Sequence, residues 1–415
     1  MIPDGVKIVY VSREIERALG FPLGASYHIV SNATAYGDSI KIQHPEAVTL
    51  IKTSPATLLG TTDLLNRPET SALITPGARL LVFKNTVRVE SAAIANRWKL
   101  LNPPAALSER IENKLSQIRW LGPLAQKYLP PHAMKVAKYI TMKNPEPFIL
   151  QWAHGHTGDG TMLIRDADEL RAIQAKFPER MARVTAYVDG PSFTVNAAVA
   201  GDRILIGNVS YQITGLEPFT DNRLSTVGND WGLACQLLSD NDRQAIETMV
   251  SDIGRKLMMD GWKGLFGVDL IKDQARGRLY LIEINARQPA SVPFESSLQE
   301  SARENSGTRD LTIFEAHLAA LLDTPIPPDQ NLIRISDGAQ IIQRVTAHVQ
   351  SMFDEAAARL TSSGYGVVSY QNAAPNADLL RVQSRRSIMS DHRQFNESGR
   401  EIAEVIKSSH LNIAV

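Results

Sequence analysis

The chain has 415 residues, which is too long for one hydrophobic core and suggests two to four domains. Its 44 lysine and arginine residues equal its 44 aspartate and glutamate residues, so the formal net charge is zero. This balance argues against nucleic acid or an anionic membrane as a main partner. The single cysteine, Cys235, excludes a disulfide framework, and we interpret it as a small buried residue.

Targeting segments are not evident in the sequence. Residues 1–7 lack the charged region and the following apolar run that mark a signal peptide. No uninterrupted apolar stretch is long enough to span a bilayer. We therefore expect a cytoplasmic protein.

The first hundred residues predict a small parallel α/β unit. Three apolar runs, at 6–12, 47–52 and 78–83, indicate buried strands separated by helical or loop segments. The first strand is not followed by Gly-x-Gly-x-x-Gly, so the dinucleotide-binding fingerprint is absent. Pro103 and Pro104 mark the end of this unit.

The next segment predicts a helix followed by a glycine-rich loop. The helix begins at Ser108, a good N-cap, and carries apolar residues at helical spacing as far as Leu121. A strand at 147–152 then leads into the glycine-rich loop at 153–161, and a second strand resumes at 162–164. Glycine-rich loops can present backbone N–H groups to phosphate oxygens, although an ordinary wide hairpin turn is an equal alternative here. We interpret His154 and His156 in this loop as polar loop residues and not as metal ligands, because no third ligand of that type is nearby in the sequence.

The remaining elements alternate strands and helices. The predicted elements are a helix at 166–177, antiparallel strands at 183–189, 193–200 and 203–213, a long polar loop at 214–232, a helix at 241–260, a polar loop at 288–297, a helix at 311–322 and, after a proline-rich linker, a small α+β region.

The most informative stretch is 264–287, in which two apolar runs rich in β-forming residues flank a short polar turn. This pattern predicts a β-hairpin. If the turn spans 274–278, Asp273 pairs with Leu279, and Asp269 then lies opposite Glu283.

Oxygen-bearing side chains interrupt the apolar pattern of this hairpin. Glu283 and Asn285 are two residues apart and share one face of their strand, and Asp269 faces them from the other strand. Two facing carboxylates repel each other unless a cation lies between them, and an all-oxygen set suits Mg²⁺ better than zinc. Arg287 follows on the same alternation, as in sites that bind phosphate or carboxylate. An exposed hairpin with a solvated polar face is the alternative.

Four segments in chain order resemble the ATP-grasp superfamily of ATP-dependent carboxylate–amine ligases. They are Asn113-Lys114-Leu115, the strand and loop at 149–161, the linker strand at 183–189, and Gly267-Val-Asp269 with Glu283-Ile-Asn-Ala-Arg287. The resemblance covers roughly residues 105–320. The His-Thr-Gly-Asp-Gly-Thr loop is most similar to that of the pheganomycin-type peptide ligases and of a related enzyme that glutamylates a carrier protein in butirosin synthesis.

The resemblance implies a fold of mixed α/β and α+β class. The expected divisions are a pre-ATP-grasp α/β domain at 1–104, an ATP-grasp domain at 105–323 with subdomains at 105–182 and 183–323, and a small C-terminal α+β domain at 324–415.

The resemblance also implies a role for each candidate site residue, with ATP lying between the two subdomains. Lys114 would contact the α-phosphate, and Arg287 would be the catalytic residue that stabilises charge on the transferred phosphoryl group. Asp269, Glu283 and Asn285 would hold Mg²⁺. The remaining candidates for nucleotide binding are Gln151, Gly155, His156, Thr157, Gly158, Gly160 and Thr161 around the phosphates, Ala186, Tyr187 and Val188 at the adenine, and Ser192 at the ribose.

Two positions depart from the family pattern. Gln151 occupies the end of the strand before the glycine-rich loop, where the family commonly has a lysine. Thr185 and Ala186 occupy the neighbourhood of the glutamate that usually binds ribose. Neither change affects the metal-binding set.

The implied function is an ATP- and Mg²⁺-dependent ligase that joins a small carboxylate to an amine through an acyl phosphate. The alternatives are acyl loading of a carrier protein by the same activation and a nucleotide-binding regulator without turnover. Substrate contacts are expected from the first domain, from 214–232 and from 291–297. Basic residues that could meet a carboxylate are Lys84, Arg88, Arg381, Arg385 and Arg386, with solvated surface charge as the alternative for each.

Overall fold

A computed structural model of the chain describes residues 2–54, 58–142, 146–153, 160–347, 349 and 354–411. Within these residues the strands are β1 Ile8–Val11, β2 Tyr27–Asn32, β3 Val48–Ile51, β4 Arg79–Val82, β5 Lys99–Leu100, β6 His132–Val136, β7 Phe148–Gln151, β8 Thr161–Ile164, β9 Met181–Ala186, β10 Ser192–Ala200, β11 Arg203–Thr214, β12 Thr226–Asp230, β13 Gly264–Lys272, β14 Leu279–Asn285, β15 Ala339–Arg344, β16 Gly366–Ser369, β17 Asp378–Ser384, β18 Met389–Asp391 and β19 Gln394–Phe395. The helices are α1 Ala35–Gln43, α2 Thr61–Leu65, α3 Pro68–Leu73, α4 Val87–Ala95, α5 Ala105–Glu112, α6 Lys114–Leu121, α7 Pro123–Tyr128, α8 Ala167–Lys176, α9 Trp231–Leu237, α10 Asp240–Met259, α11 Val292–Ser306, α12 Ile313–Leu321, α13 Asp354–Ser362 and α14 Glu397–Leu411. A helix able to span a membrane is not found among those of the described residues.

The N-terminal region forms a parallel sheet of five strands in the order β3-β2-β1-β4-β5. All four residues of β1 are buried, as expected for the central strand of a parallel sheet. The three strands predicted in this region are confirmed as β1, β3 and β4. The sequence does not predict β2, in which His28 and Asn32 interrupt the apolar pattern, or β5, which has only two residues.

The helix predicted to begin at Ser108 is in fact two helices, α5 and α6. Asn113 separates them with an extended backbone, and its side-chain oxygen accepts hydrogen bonds from the backbone N–H groups of Leu115 and Ser116. Lys114 is therefore the first residue of α6, directly after an N-cap. The prediction of one continuous helix is wrong, because apolar periodicity does not register a single capping residue between two successive helices.

A four-stranded antiparallel sheet follows, in the order β6-β9-β7-β8. Its strands β7 and β8 flank the glycine-rich loop. The predicted helix after β8 is confirmed as α8, and Asp166 caps it by accepting hydrogen bonds from the N–H groups of Asp168 and Glu169. The sheet brings the linker strand β9 beside β7, with Gln151 opposite Arg183.

The largest sheet has eight strands in the order β14-β13-β10-β11-β12-β15-β17-β16, with antiparallel neighbours throughout. Helices α10 and α12 pack against it through buried apolar residues such as Ile253 and Leu321. Strands β15, β16 and β17 belong to the C-terminal region and continue this sheet. The region that the sequence suggests is a separate α+β domain thus shares a sheet with residues 183–323, while the proposed domain bounds remain predictions.

Two segments predicted as loops contain regular structure. The segment 214–232 contains the strand β12 and the beginning of α9, and 288–297 contains the first turns of α11. Pro293 near the start of α11 and the polar residues around it hide this helix from a pattern-based prediction. Both corrections matter for the site, because β12 and residues 289–291, directly before α11, line its wall.

Candidate active site

A cavity of about 640 Å³ lies between the four-stranded and the eight-stranded sheets. Its lining includes the predicted residues Lys114, Gln151, Thr161, Ala186, Tyr187, Val188, Ser192, Asp269, Glu283, Asn285 and Arg287. Gly160 lies beside it, where its carbonyl accepts a hydrogen bond from Trp152 N–H, but it does not line the cavity. The predicted residues Gly155, His156, Thr157 and Gly158 lie outside the described residues.

The hairpin of β13 and β14 places its acidic residues as predicted. Asp269 pairs with Glu283 across the two strands, so their side chains share one face. The turn itself differs from the prediction, because Lys272 and not Asp273 pairs with Leu279. A β-bulge in β14, between Asp269 and the next pair, shifts the register by one residue and restores the predicted pairing.

The two carboxylates of this pair have different surroundings. The Lys114 ammonium lies 2.6 Å from Glu283 Oε1. Burial acts to raise the pKa of Glu283, but Lys114, Arg287 and Arg183 together hold that pKa below its ordinary value. Burial and the neighbouring Glu283 raise the pKa of Asp269 to about 6.

Asp269 is held by two neutral partners. Its Oδ1 accepts a hydrogen bond from Thr194 Oγ1 at 2.8 Å, and its Oδ2 accepts one from Asn285 Nδ2 at 3.1 Å. Asn285 Oδ1 in turn accepts a hydrogen bond from Arg287 Nη1 at 2.9 Å. The arrangement fixes the orientation of the three oxygen-bearing side chains toward one side of the sheet.

This donor set fits Mg²⁺. Magnesium binds through one or two carboxylates and keeps further positions for water or substrate phosphates, and Asp269 with Glu283 supplies two carboxylates on one face. A divalent cation would also relieve the repulsion that raises the Asp269 pKa. No group of three or more histidine, cysteine or acidic side chains suited to a metal occurs among the described residues, so Asn285 is the third candidate donor.

A second charged group extends from Arg287 toward the N-terminal region. Arg287 Nε lies 3.5 Å from Glu112 Oε1, and Lys84 Nζ lies 2.5 Å from Glu112 Oε2. Of the five basic residues named as candidates for a carboxylate, Lys84 and Arg381 line the cavity, whereas Arg88, Arg385 and Arg386 are exposed and do not line it.

Arg183 is a buried residue of the site that the sequence does not single out. Its guanidinium donates to Gln151 Oε1 at 2.8 Å from Nε, to Gln117 Oε1 at 3.1 Å and to the Ile282 carbonyl at 3.1 Å. Ile282 is the bulge residue of β14, so one side chain joins the four-stranded sheet to the bulge beside Glu283. Burial lowers the pKa of Arg183 to about 10, which leaves it charged near neutral pH. A positive charge thus lies directly behind Gln151.

Part of the cavity wall is apolar. Leu129, Pro130, Ile149 and Leu281 line it together with the segment that follows β9. The Ala186 N–H donates to the carbonyl of Pro131 at 2.9 Å. This N–H is therefore already used within the protein.

A protein-family match and matches to solved structures both support the fold. Residues 111–291 match the model of the ATP-grasp domain, a range that includes Lys114 and the whole hairpin. No curated protein sequence matches the chain significantly.

Solved structures match over almost the whole chain at low sequence identity. N5-carboxyaminoimidazole synthetase from Staphylococcus aureus aligns with a TM-score of 0.61 at 11% identity, covering 97% of this chain and 98% of that one. The synthase from Aspergillus clavatus, solved with ADP and 5-aminoimidazole ribonucleotide, gives 0.63 at 15%, covering 97% and 99%. An L-amino acid ligase from Bacillus licheniformis gives 0.62 at 15%, covering 97% of each chain. The chain therefore has the ATP-grasp fold, and residues 111–291 match the ATP-grasp domain.

Proposed function

We propose that this protein is an ATP- and Mg²⁺-dependent ligase that joins a small, amino-acid-like carboxylate to an amine through an acyl phosphate. The observation that carries the proposal is the facing pair Asp269 and Glu283, with Lys114 and Arg287 beside it, in one cavity. Solved structures of the same fold are described with ADP or ATP bound, which supports nucleotide use here.

Asp269, Glu283 and Asn285 are the residues that would hold Mg²⁺, which when bound neutralises the charge on the phosphate oxygens. Lys114, first in α6 and held by the backbone bond from its N–H to the Ala153 carbonyl, would contact a phosphate next to the glycine-rich loop. Arg287 would stabilise charge on the transferred phosphoryl group. Phosphoryl transfer depends mainly on such positioning and charge neutralisation.

The reaction has two steps. The carboxylate of the first substrate attacks the γ-phosphorus of ATP, which forms an acyl phosphate and releases ADP. The amine of the second substrate then attacks the acyl carbon and displaces phosphate. Enclosure between the two sheets would limit hydrolysis of the acyl phosphate by water.

The structure bears on the choice of acceptor. Basic residues of the N-terminal region facing the cavity would favour a protein acceptor such as a carrier protein. Lys84 faces the cavity, but its charge is paired with Glu112, so this lysine offers no unpaired charge to an acidic protein partner. We therefore favour a small acceptor, and the L-amino acid ligase of the same fold supports amino-acid-like substrates.

The test is an ADP-release screen of amino acids, alone and in pairs, with mass detection of the product. We expect ADP formation that requires a carboxylate substrate and Mg²⁺. Glu283→Gln and Glu283→Ala should abolish it and leave the protein folded, whereas Glu179→Gln, in the exposed pair with Lys138, should not change it. ADP formation that survives in Glu283→Ala would show that the metal assignment is wrong. Nucleotide binding without ADP release under any condition would favour the regulator.

A further inference from the structure

Three arginines from distant parts of the chain meet around one carboxylate in the wall of the cavity. Arg17 comes from the N-terminal region, Arg344 from the end of β15 and Arg381 from β17, and all three contact Asp378 at the start of β17. All four residues line the cavity, and their side chains are at most 12% exposed. We call this group the arginine cluster.

The three guanidinium groups of the cluster share the two carboxylate oxygens of Asp378. Arg17 Nη2 lies 3.2 Å and Arg381 Nη2 lies 3.4 Å from Asp378 Oδ2, and Arg344 Nη1 contacts Asp378 Oδ1. Arg344 Nη2 also donates to the Thr226 carbonyl at 3.0 Å. Arg344 Nε is buried without a hydrogen-bond partner among the described residues.

The charges of the cluster do not balance. Besides Asp378, the nearest carboxylates are Glu16, whose Oε1 lies 3.2 Å from Arg17 Nε, and Glu14, which is paired with Arg13 at 2.9 Å. Counting Arg13 and the three arginines of the cluster against these three carboxylates leaves one positive charge in excess. A buried charge without a partner is unfavourable, so the excess charge favours an anion in the adjoining cavity.

A row of polar side chains runs along the sheet from the acidic hairpin to the cluster. Gln212 and Thr194 follow Asp269 on neighbouring strands, and farther along Gln340 donates to Asn229 Oδ1 at 3.2 Å. Arg381 Nη1 then donates to Gln340 Oε1 at 2.9 Å. These side chains line one continuous cavity wall.

The cluster is well separated from the hairpin. Five strand spacings lie between β13 and β17 in the sheet. At about 4.8 Å each they amount to roughly 24 Å along the sheet, although long side chains shorten the gap. The cluster would therefore contact a different part of a bound molecule than the groups at Asp269 and Glu283 do.

We propose that the arginine cluster binds an oxyanion of the substrate, a carboxylate or a phosphate monoester, at a position remote from the reacting carboxyl group. Guanidinium groups suit both anions, because their planar N–H donors match paired oxygens. This proposal rests on the proposed ligase function and narrows its substrates to molecules with a second anionic group. Free amino acids used as acceptors and phosphorylated amines both meet this condition.

The binding test uses malonate and inorganic phosphate as probes at constant ionic strength. A non-hydrolysable ATP analogue with Mg²⁺ is present throughout, so that the nucleotide phosphate positions are filled. We expect each anion to raise the unfolding midpoint of the wild type, and the increase to fall by at least half in Arg344→Gln and in Arg17→Lys. Arg255→Gln, which removes an exposed arginine, should retain the full increase. Equal increases in the wild type and both cluster variants would overturn the proposal, whichever way nucleotide binding turns out.

The kinetic test compares substrates that differ only in the remote anion. Amino acids are compared with their amides, and phosphoethanolamine with ethanolamine, by ADP release and product mass. We expect loss of the anion to raise KM about ten- to hundredfold with little change in kcat, and the difference to disappear in Arg344→Gln. The pair that shows the larger KM difference between its charged and neutral members identifies whether the cluster binds a carboxylate or a phosphate. Equal KM values in the wild type for charged and neutral members of both pairs would overturn the proposal. If no substrate releases ADP, the proposed function fails, and the binding test still decides the anion site.

Discussion

The acidic hairpin and the arginine cluster lie on the same sheet and handle buried charge in opposite ways. In the hairpin, Asp269 faces a second carboxylate, and its pKa is raised. In the cluster, burial acts to raise the pKa of Asp378, but Arg344, Arg17 and Arg381 together hold it below its ordinary value. The ionised form of Asp269 is therefore disfavoured, whereas that of Asp378 is favoured by cations already present. The comparison supports our proposals that the hairpin binds a cation and that Asp378 orients the three arginines of the anion site.

The largest effect is expected from Asp269→Asn. Loss of a metal ligand should reduce ADP release by about 10³-fold or more, because a bound cation supplies several kcal/mol of transition-state stabilisation. The same change removes the repulsion with Glu283, so the unfolding midpoint without ligand should stay the same or rise. Steady-state kinetics and thermal unfolding check the two parts, and a variant that unfolds at lower temperature would break the comparison.

Asp378→Asn should have the opposite effect on stability. It leaves three buried guanidinium groups without their shared carboxylate, which should lower the free energy of unfolding by about 3 to 5 kcal/mol. Denaturant unfolding at neutral pH measures this loss. A loss below about 1 kcal/mol would mean that the three arginines do not depend on Asp378.

The pH dependence of stability should isolate Asp269. A raised pKa means that the folded state takes up the proton at a higher pH than the unfolded state does. The ionised Asp269 therefore destabilises the folded state above about pH 6, and this destabilisation is relieved as the pH falls toward 3.8. The wild type should therefore gain stability relative to Asp269→Asn between pH 7 and pH 4, by at most about 3 kcal/mol before solvent screening. Unfolding of both proteins across this range measures the difference, and a relative loss on acidification would contradict the assignment.

Substitution of Arg183 tests whether the position of Glu283 in the hairpin depends on the hydrogen bond from Arg183 to the neighbouring bulge residue. Arg183→Met removes the donors to Gln151, Gln117 and the Ile282 carbonyl, and should reduce ADP release about 10- to 100-fold, the usual effect of losing a residue that orients metal ligands. Arg183→Lys keeps the charge but not the fork of donors, so its activity should fall between that of the wild type and that of Arg183→Met. Unchanged activity in Arg183→Met would show that the bulge holds Glu283 without help.

The smallest effect is expected at the surface. Lys138 and Glu179 form an ion pair at 2.7 Å, close to the 2.6 Å of Lys114 and Glu283, but both side chains are exposed. Glu179→Gln should change the unfolding midpoint by no more than about 1 °C, because exposed ion pairs contribute little. A large shift there, measured beside Glu283→Gln, would show that burial is not what distinguishes the two pairs.

The sequence alone was sufficient for the hairpin and for the strand face that Glu283 and Asn285 share. Strand side chains alternate between faces, so the spacing of Glu283 and Asn285 places them on one face, and a short turn brings Asp269 opposite. The parallel N-terminal sheet and α8 were predicted for the same reason, since each depends on a local pattern. The bulge in β14 was not predicted, and the pairing came out correctly because the bulge compensated for a turn placed one residue too late.

The tertiary structure decided what local patterns do not encode. Arg183 meets Gln151 and Ile282 only because two sheets pack against each other. The order of strands in one sheet brings together residues 344, 378 and 381 of the arginine cluster, and Arg17 reaches them from the N-terminal region. The C-terminal strands joined that sheet, although the sequence suggested a separate unit. Pairing between residues hundreds of positions apart depends on the packing of whole elements, whereas alternation within a strand is fixed by backbone geometry.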